Sequence, residues 1–191
     1  MSYRNLSLSL FGGALFAVLS SGAFAATENL AVDNGSVATA QDVDPFGAEN
    51  VINVFGFRGS VLGGLIVDNS DADFYSFTVA DNTRITLAVN TPEGPQFDDD
   101  PVVALYDLGG AQLAVNDDGG PGFDSLLSYD ALLAGTYVAV VSGFADFDFT
   151  GGGSTDFSYQ LQITAAPVPL PAPLVLLGSV VALFAVRRRQ D

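Results

Sequence analysis

The side chains able to do chemistry in this 191-residue chain are almost all carboxylates. Asp68-Asn69-Ser70-Asp71-Ala72-Asp73 sets three of them within six residues, just ahead of an alternating apolar run. Calcium takes about six to eight oxygen ligands, and a cluster of this kind supplies them. The run is not an EF-hand loop, because glycine at its sixth position and glutamate at its twelfth are missing. A solvated Asp-rich turn is the competing reading. Phe97-Asp98-Asp99-Asp100 is a second cluster. Adjacent carboxylates repel by about 1 kcal/mol per close pair in water, so this loop is either compensated by a cation or, as we favour, exposed. Gly119-Gly120-Pro121-Gly122-Phe123-Asp124-Ser125-Leu126-Leu127 fits the nonapeptide of calcium-binding β-rolls. Such rolls stack at least about three copies to bury a core. One copy is present, so the stretch reads as a loop, across which Asn116, Asp117, Asp118 and Asp124 could share a cation.

Catalysis is poorly provided for. The chain has no Cys, His or Lys. Disulfides and Cys/His zinc sites are excluded, and Ser-His-Asp, Cys-His and Ser-Lys chemistry lack their bases. Only carboxylate or Tyr acid–base chemistry remains. A glycosidase needs two carboxylates roughly 5–10 Å apart about a cleft. Among so many acids such a pair arises by chance, so the chain is expected not to be an enzyme. Phe144, Phe147 and Phe149 share a loop with acids. Aromatics of that kind stack on sugar rings, although hydrophobic closure of a domain edge is the favoured reading.

The two ends address the protein. Arg4 precedes an apolar run from Leu8 to Leu19, and Ala23-Phe24-Ala25 follows with a small-x-small pattern. These are the parts of a secretory signal peptide, with cleavage expected after Ala25. At the other end Leu174 to Val186 is uncharged and Arg187-Arg188-Arg189 follows at once. As a helix, Pro173 to Val186 spans ~21 Å of a ~30 Å hydrocarbon core. Pro167, Pro169, Pro171 and Pro173 forbid its regular extension backwards. The arginines belong on the cytoplasmic side, which puts the middle of the chain outside. Val168-Pro169-Leu170-Pro171-Ala172, the short apolar run and the Arg triplet together resemble the PEP-CTERM sorting signal of Gram-negative bacteria, in its VPLPA variant. The resemblance implies signal peptidase and an exosortase-like enzyme as partners. It also implies an inner-membrane-anchored precursor, cut near the motif and released to the cell surface or the extracellular matrix. A permanent single-pass anchor is the alternative.

Between the ends lie about 140 residues, enough for one domain with a real core. Arg58 and Arg84 face 21 acids there, a net charge of about −19. Such a surface repels nucleic acid and anionic lipid, so neither is expected as a partner.

The elements that must position these residues have a period of two. Tyr75, Phe77 and Val79 share one face, and Ile85, Leu87 and Val89 another. With Ala80-Asp81-Asn82 between them, the runs 73–79 and 84–89 read as a β-hairpin. Further strands are expected at Pro101 to Tyr106, Ala111 to Val115, Leu126 to Tyr129, Thr136 to Ser142 and Phe157 to Thr164. Val51 to Val67 should give one or two more, broken at Gly63-Gly64. Ser36 to Asp42 is the one stretch that could form a short helix. Short strands with Gly/Asp turns predict an all-β fold, an antiparallel β-sandwich or jelly-roll-like domain, flanked by a signal helix and a C-terminal transmembrane helix. The expected division is 1–25, 26–164 and 165–191.

Several features of the middle resemble the bacterial pre-peptidase C-terminal domain. They are Asp71-x-Asp73-Phe74-Tyr75-x-Phe77, Ala104-Leu105-Tyr106-Asp107, Asn116-Asp117-Asp118 and Ala134-Gly135-Thr136-Tyr137. The resemblance runs over most of Asn34 to Thr164. It implies a sandwich module of the kind often attached to secreted enzymes, and calcium at Asp71 and Asp73, joined by an N-terminal acid such as Asp44 or Glu49. The expected role is structural or adhesive, within extracellular polysaccharide. A calcium-dependent carbohydrate- or protein-binding module is the alternative.

Overall fold

The computed structural model describes residues 23–46, 50–62, 65–69, 71–91, 99–154 and 157–169. The expected signal helix and transmembrane helix, with Arg187, Arg188 and Arg189, lie outside them. Eleven strands form among the described residues, and no α-helix does. They are β1 (Phe24–Thr27), β2 (Gln41–Asp42), β3 (Val51–Leu62), β4 (Leu65–Asn69), β5 (Asp73–Val79) and β6 (Thr83–Asn90), followed by β7 (Pro101–Asp107), β8 (Gln112–Asn116), β9 (Ser125–Ala131), β10 (Gly135–Gly143) and β11 (Phe157–Pro167).

Two sheets result. One runs β1-β3-β11-β6-β9, with β4 paired to β3; the other runs β2-β5-β10-β7-β8. The alternation read from the sequence sets their inner faces. Tyr75, Phe77 and Val79 of β5 meet Ile85, Leu87 and Val89 of β6, with Leu161 and Ile163 of β11 and Val103 and Leu105 of β7 in the same core. Burying each such side chain stabilises the fold by roughly 1.5–3 kcal/mol.

The second sheet is buried on both faces. Its outer side carries Phe74, Val102, Ala104, Val138 and Val140, and Val37, Ala40 and Phe149 cover them. That is why β7 and β10 contain unbroken apolar runs where a half-buried strand would alternate. The outer face of the first sheet stays open and is polar. Gln160 Nε2 donates to Asn53 Oδ1 at 2.8 Å there, and Thr86 and Ser128 hydroxyls lie 3.3 Å apart.

Three expectations change. First, β5 and β6 are not a hairpin: β5 pairs β10 and β2, whereas β6 pairs β11 and β9. Each strand has a full apolar face, and opposing the two faces across the core buries both. The turn between them crosses from sheet to sheet, with Asn82 at φ 51°, a conformation Asn tolerates. Second, Ser36 to Asp42 is no helix. A single turn closes from Thr39 N to Ser36 O at 3.1 Å, and Gln41–Asp42 then joins β5 in parallel. The turn suffices to lay Val37 and Ala40 on the outer face of the second sheet. Third, the sheets are mixed, since β1 also runs parallel to β3. The sandwich also reaches past the expected boundary at 164, because β11 continues to Pro167.

Candidate functional site

The most concentrated polar chemistry lies where β5 begins. Residues 73, 75, 77 and 79 point the same way along a strand. Asp73 therefore enters the core beside Tyr75 and is fully buried. Tyr159 comes from β11 on the opposing sheet. Its hydroxyl donates to Asp73 Oδ2 at 2.6 Å and stands 2.7 Å from the Tyr75 hydroxyl. Gly56 makes room for that ring: a Cβ there would fall 2.3 Å from Tyr159 Cζ. Glu28, just past β1, accepts from Phe57 N at 2.9 Å and hydrogen-bonds with Asp73.

Electrostatics follow from this packing. Burial pushes the Asp73 carboxyl well above the usual carboxylate range, and Glu28 pushes it further, against the hydrogen bond from Tyr159. As a carboxylate, Asp73 would leave Oδ1 buried without a donor. As an acid, it supplies the proton that bonds Glu28. Burial and the neighbouring Asp73 also hold both tyrosines well above their ordinary range. Arg58 is fully buried beside the network. It donates from Nε to Asp71 O at 3.0 Å, from Nη1 to Ser154 O at 2.6 Å and from Nη2 to Gly152 O at 3.2 Å. Burial lowers its pKa, and the charges of Asp73 and Asp146 oppose that. The network ties the N-terminal segment, both sheets and the 144–154 loop together. Asp73, Tyr75, Tyr159 and Arg58 are buried, and Glu28 reaches them from a half-buried position.

The sequence-predicted cation ligands Asp71 and Asp73 occupy different settings. Asp68 lies in β4, and its side chain is outside the described residues. Asp73 faces inward. Asp71 sits half-buried at the bend before β5 and shares the surroundings of Gly35 with Asp33, whose Oδ1 accepts from Gly35 N at 2.9 Å. A Cβ on Gly35 would stand 2.7 Å from Asp71 Oδ2 and 3.1 Å from Asp33 Oδ1. Glu49 is outside the described residues. No group of three or more metal-ligating side chains gathers among the described residues. Two carboxylates about a glycine fit a calcium ion only in part, with most of its oxygens left to water and backbone.

The remaining candidates divide. Asn116 Oδ1 accepts from Gly119 N and Leu126 N, and Asp124 Oδ1 from Thr91 N, so both shape backbone around the β8–β9 loop. The residues of the nonapeptide form that loop and the start of β9, as read. Asp100 lies against it, its carboxyl raised by burial and then by Asp118 and Asp117. Phe149 is buried against Tyr106, whereas Phe144 and Phe147 stay exposed, edge to face at 5.9 Å. Asp146 accepts from Ser142 Oγ at 2.6 Å, Thr150 N at 3.1 Å and Gly151 N at 2.9 Å, which ties down the glycine-rich loop.

Sequence reasoning missed Glu28, Arg58 and Tyr159 as members of one network. A readable signal existed for part of it: Asp73 and Tyr75 fall in register with Phe77 and Val79, so an acid and a phenol had to enter the core together. Nothing local points to Glu28, which arrives from 45 residues away in sequence.

Two packed sheets sealed at one end by a buried acid–phenol network define a β-sandwich module. Residues 71–143, from just before β5 through β10, match the model of the bacterial pre-peptidase C-terminal domain. Strands β1 to β4 and β11 complete the sandwich outside the matched range. Among solved structures the chain is similar to PliG of Aeromonas hydrophila, a periplasmic lysozyme inhibitor of g-type lysozyme. The identity is 12%, over 75% of this chain and 98% of that one, at a TM-score of 0.45. It is also similar to the pre-peptidase C-terminal domain of a Bacillus anthracis collagenase. The identity is again 12%, over 75% of this chain and 96% of that one, at a TM-score of 0.37. No curated protein matches the chain.

Proposed function

We propose that this chain is an exported, non-enzymatic envelope or extracellular-matrix protein whose sandwich has a structural or adhesive role. The match of residues 71–143 to the pre-peptidase C-terminal domain carries the reading. The missing His, Cys and Lys support it, as does the sealing of the most perturbed acid inside the core. The address rests on the two ends: a signal cut after Ala25, then handling of Val168 to Ala172 by an exosortase-like enzyme, with extracellular polysaccharide as the destination. Mass spectrometry of the secreted form tests it. Both the signal and the tail should be missing, and an intact Arg187 would leave a permanent anchor in place of release.

The placement of Asp33 and Asp71 about Gly35 favours a second reading, a module that binds carbohydrate or protein in a calcium-dependent way. The cation would link the N-terminal segment to the bend before β5. A ligand of the folded state alone must stabilise it, by about 2.7 kcal/mol at a hundredfold excess over Kd. Thermal melts with calcium and with chelator should therefore differ, and coincident melts remove the cation.

A further inference from the structure

The three most exposed large apolar side chains among the described residues share one pole of the sandwich. Leu133 is 76% exposed, Leu132 71% and Leu108 60%. Leu132 and Leu133 occupy the turn from β9 to β10, and Leu108 the turn from β7 to β8. Strand β10 leaves its turn with Tyr137 opposite Asp107 of β7 and Gly135 opposite Val79 of β5. That register sets both turns beside the crossing at Ala80 to Asn82. The Tyr137 hydroxyl donates to Leu133 O at 3.0 Å and fixes the turn, and its ring lies 6.4 Å from that of Tyr129.

The tail leaves from the same pole. Pro167 lies opposite Thr83, and Val168 N donates to Asn82 O at 2.8 Å. Only Pro169 to Pro173 separate that point from the uncharged run Leu174 to Val186. Five residues span at most ~18 Å in any conformation. A bilayer that holds the run therefore holds this pole within reach of its surface.

We propose that the pole is a membrane-contact surface. With the tail in a bilayer, Leu108, Leu132 and Leu133 enter the headgroup region of the same leaflet, and Tyr129 and Tyr137 sit at its border, where amphipathic rings are favoured. The proposal rests on the proposed address, in which the tail of the uncut precursor is embedded in the membrane. Among the described residues Asp44, Asp81 and Asp107 are acids of this pole, together with Asp130, which Arg84 pairs through two bonds of 2.7 and 2.9 Å. They turn the surface away from anionic lipid, so the partner is a zwitterionic leaflet. Phe144, Phe147 and the Asp99–Asp100 and Asp117–Asp118 loops lie at the other pole and face outward.

The chain has no Trp, so a single indole reports cleanly. Chains that begin at Ala26 and keep the whole tail, carrying Leu133→Trp or Phe147→Trp, are placed in phosphatidylcholine vesicles with and without brominated acyl chains. The indole at position 133 should lose fluorescence with brominated lipid and shift its emission to the blue, and the one at 147 should do neither. Flotation after an alkaline wash reads the tail separately. A chain that does not float overturns the embedded tail and the contact with it. A chain that floats, yet shows no quenching at 133 or equal quenching at both positions, overturns the contact alone. A spectral change at 133 that follows the protein-to-lipid ratio assigns the leucines to a second copy and overturns the contact as well.

Discussion

Asp73→Asn should remove most of one pH dependence of stability while leaving the fold intact. In the native chain the Asp73 carboxyl is raised well above its ordinary value by burial and by Glu28. The folded state thus keeps a proton that the unfolded chain releases above about pH 4. Stability is greatest below that unfolded value and falls as pH rises towards the folded one, by up to about 1.4 kcal/mol per pH unit. Two interacting carboxyls share this titration, so the slope belongs to the Glu28–Asp73 pair. For a domain of this size 1 kcal/mol moves Tm by roughly 3–4 °C, which makes the slope about 5 °C per pH unit. Asparagine keeps an oxygen to accept from Tyr159 and gains an NH2 to donate to Glu28. The assay is Tm from pH 4 to 9, native against variant. The difference between the two curves should grow with pH, and the variant should equal or exceed the native chain at pH 8. If the variant keeps the native slope, Asp73 does not hold the proton. If it loses the same stability at every pH, Asp73 matters only for shape.

Arg58→Met should be strongly damaging, costing about 3 kcal/mol or more, because three backbone carbonyls lose a charged donor at once. Asp71 O, Gly152 O and Ser154 O all lose a donor. Urea midpoints would show the loss, and a midpoint within error of native would refute the role. Asp146→Asn addresses the opposite limb of the pH curve. Burial raises the Asp146 carboxyl, but hydrogen bonds from Ser142, Thr150 and Gly151 outweigh it and hold it below the usual range. Its stabilisation is present above about pH 4 and is lost as pH falls through the folded value. The variant should therefore flatten the drop in Tm between pH 4 and pH 2, and an unchanged drop would dismiss the carboxylate.

The strands were legible because their apolar residues recur every second position. Pairing was not. Tyr75-x-Phe77-x-Val79 and Ile85-x-Leu87-x-Val89 announce two strands, yet nothing local says whether they lie side by side or face each other. The answer depends on β10 and β11, which arrive some sixty and eighty residues after β5. The unbroken runs Val102 to Leu105 and Val138 to Val141 carried a clue to the doubly covered sheet, since an open face would have alternated. Val37 and Ala40 were readable as apolar but not as a lid, because one turn leaves no periodicity to detect. At the candidate site Asp71 and Asp73 were found by spacing, but spacing could not separate one that lies beside Gly35 from one that bonds Tyr159. That distinction is a matter of register, fixed when β5 takes its place against β10.

The position of β11 bears on how the protein carries load. It is the middle strand of its sheet, with eight residue pairs to β3 on one side and eight to β6 on the other. The tail continues directly from its end. Tension on the tail therefore runs along β11, across hydrogen bonds that lie perpendicular to the pull. Two ladders must shear together before the strand slips. A tether attached across a hairpin would instead open its bonds one after another. A protein fixed by its tail to a surface and by its body to a matrix would have its attachment point where the sandwich resists extraction best.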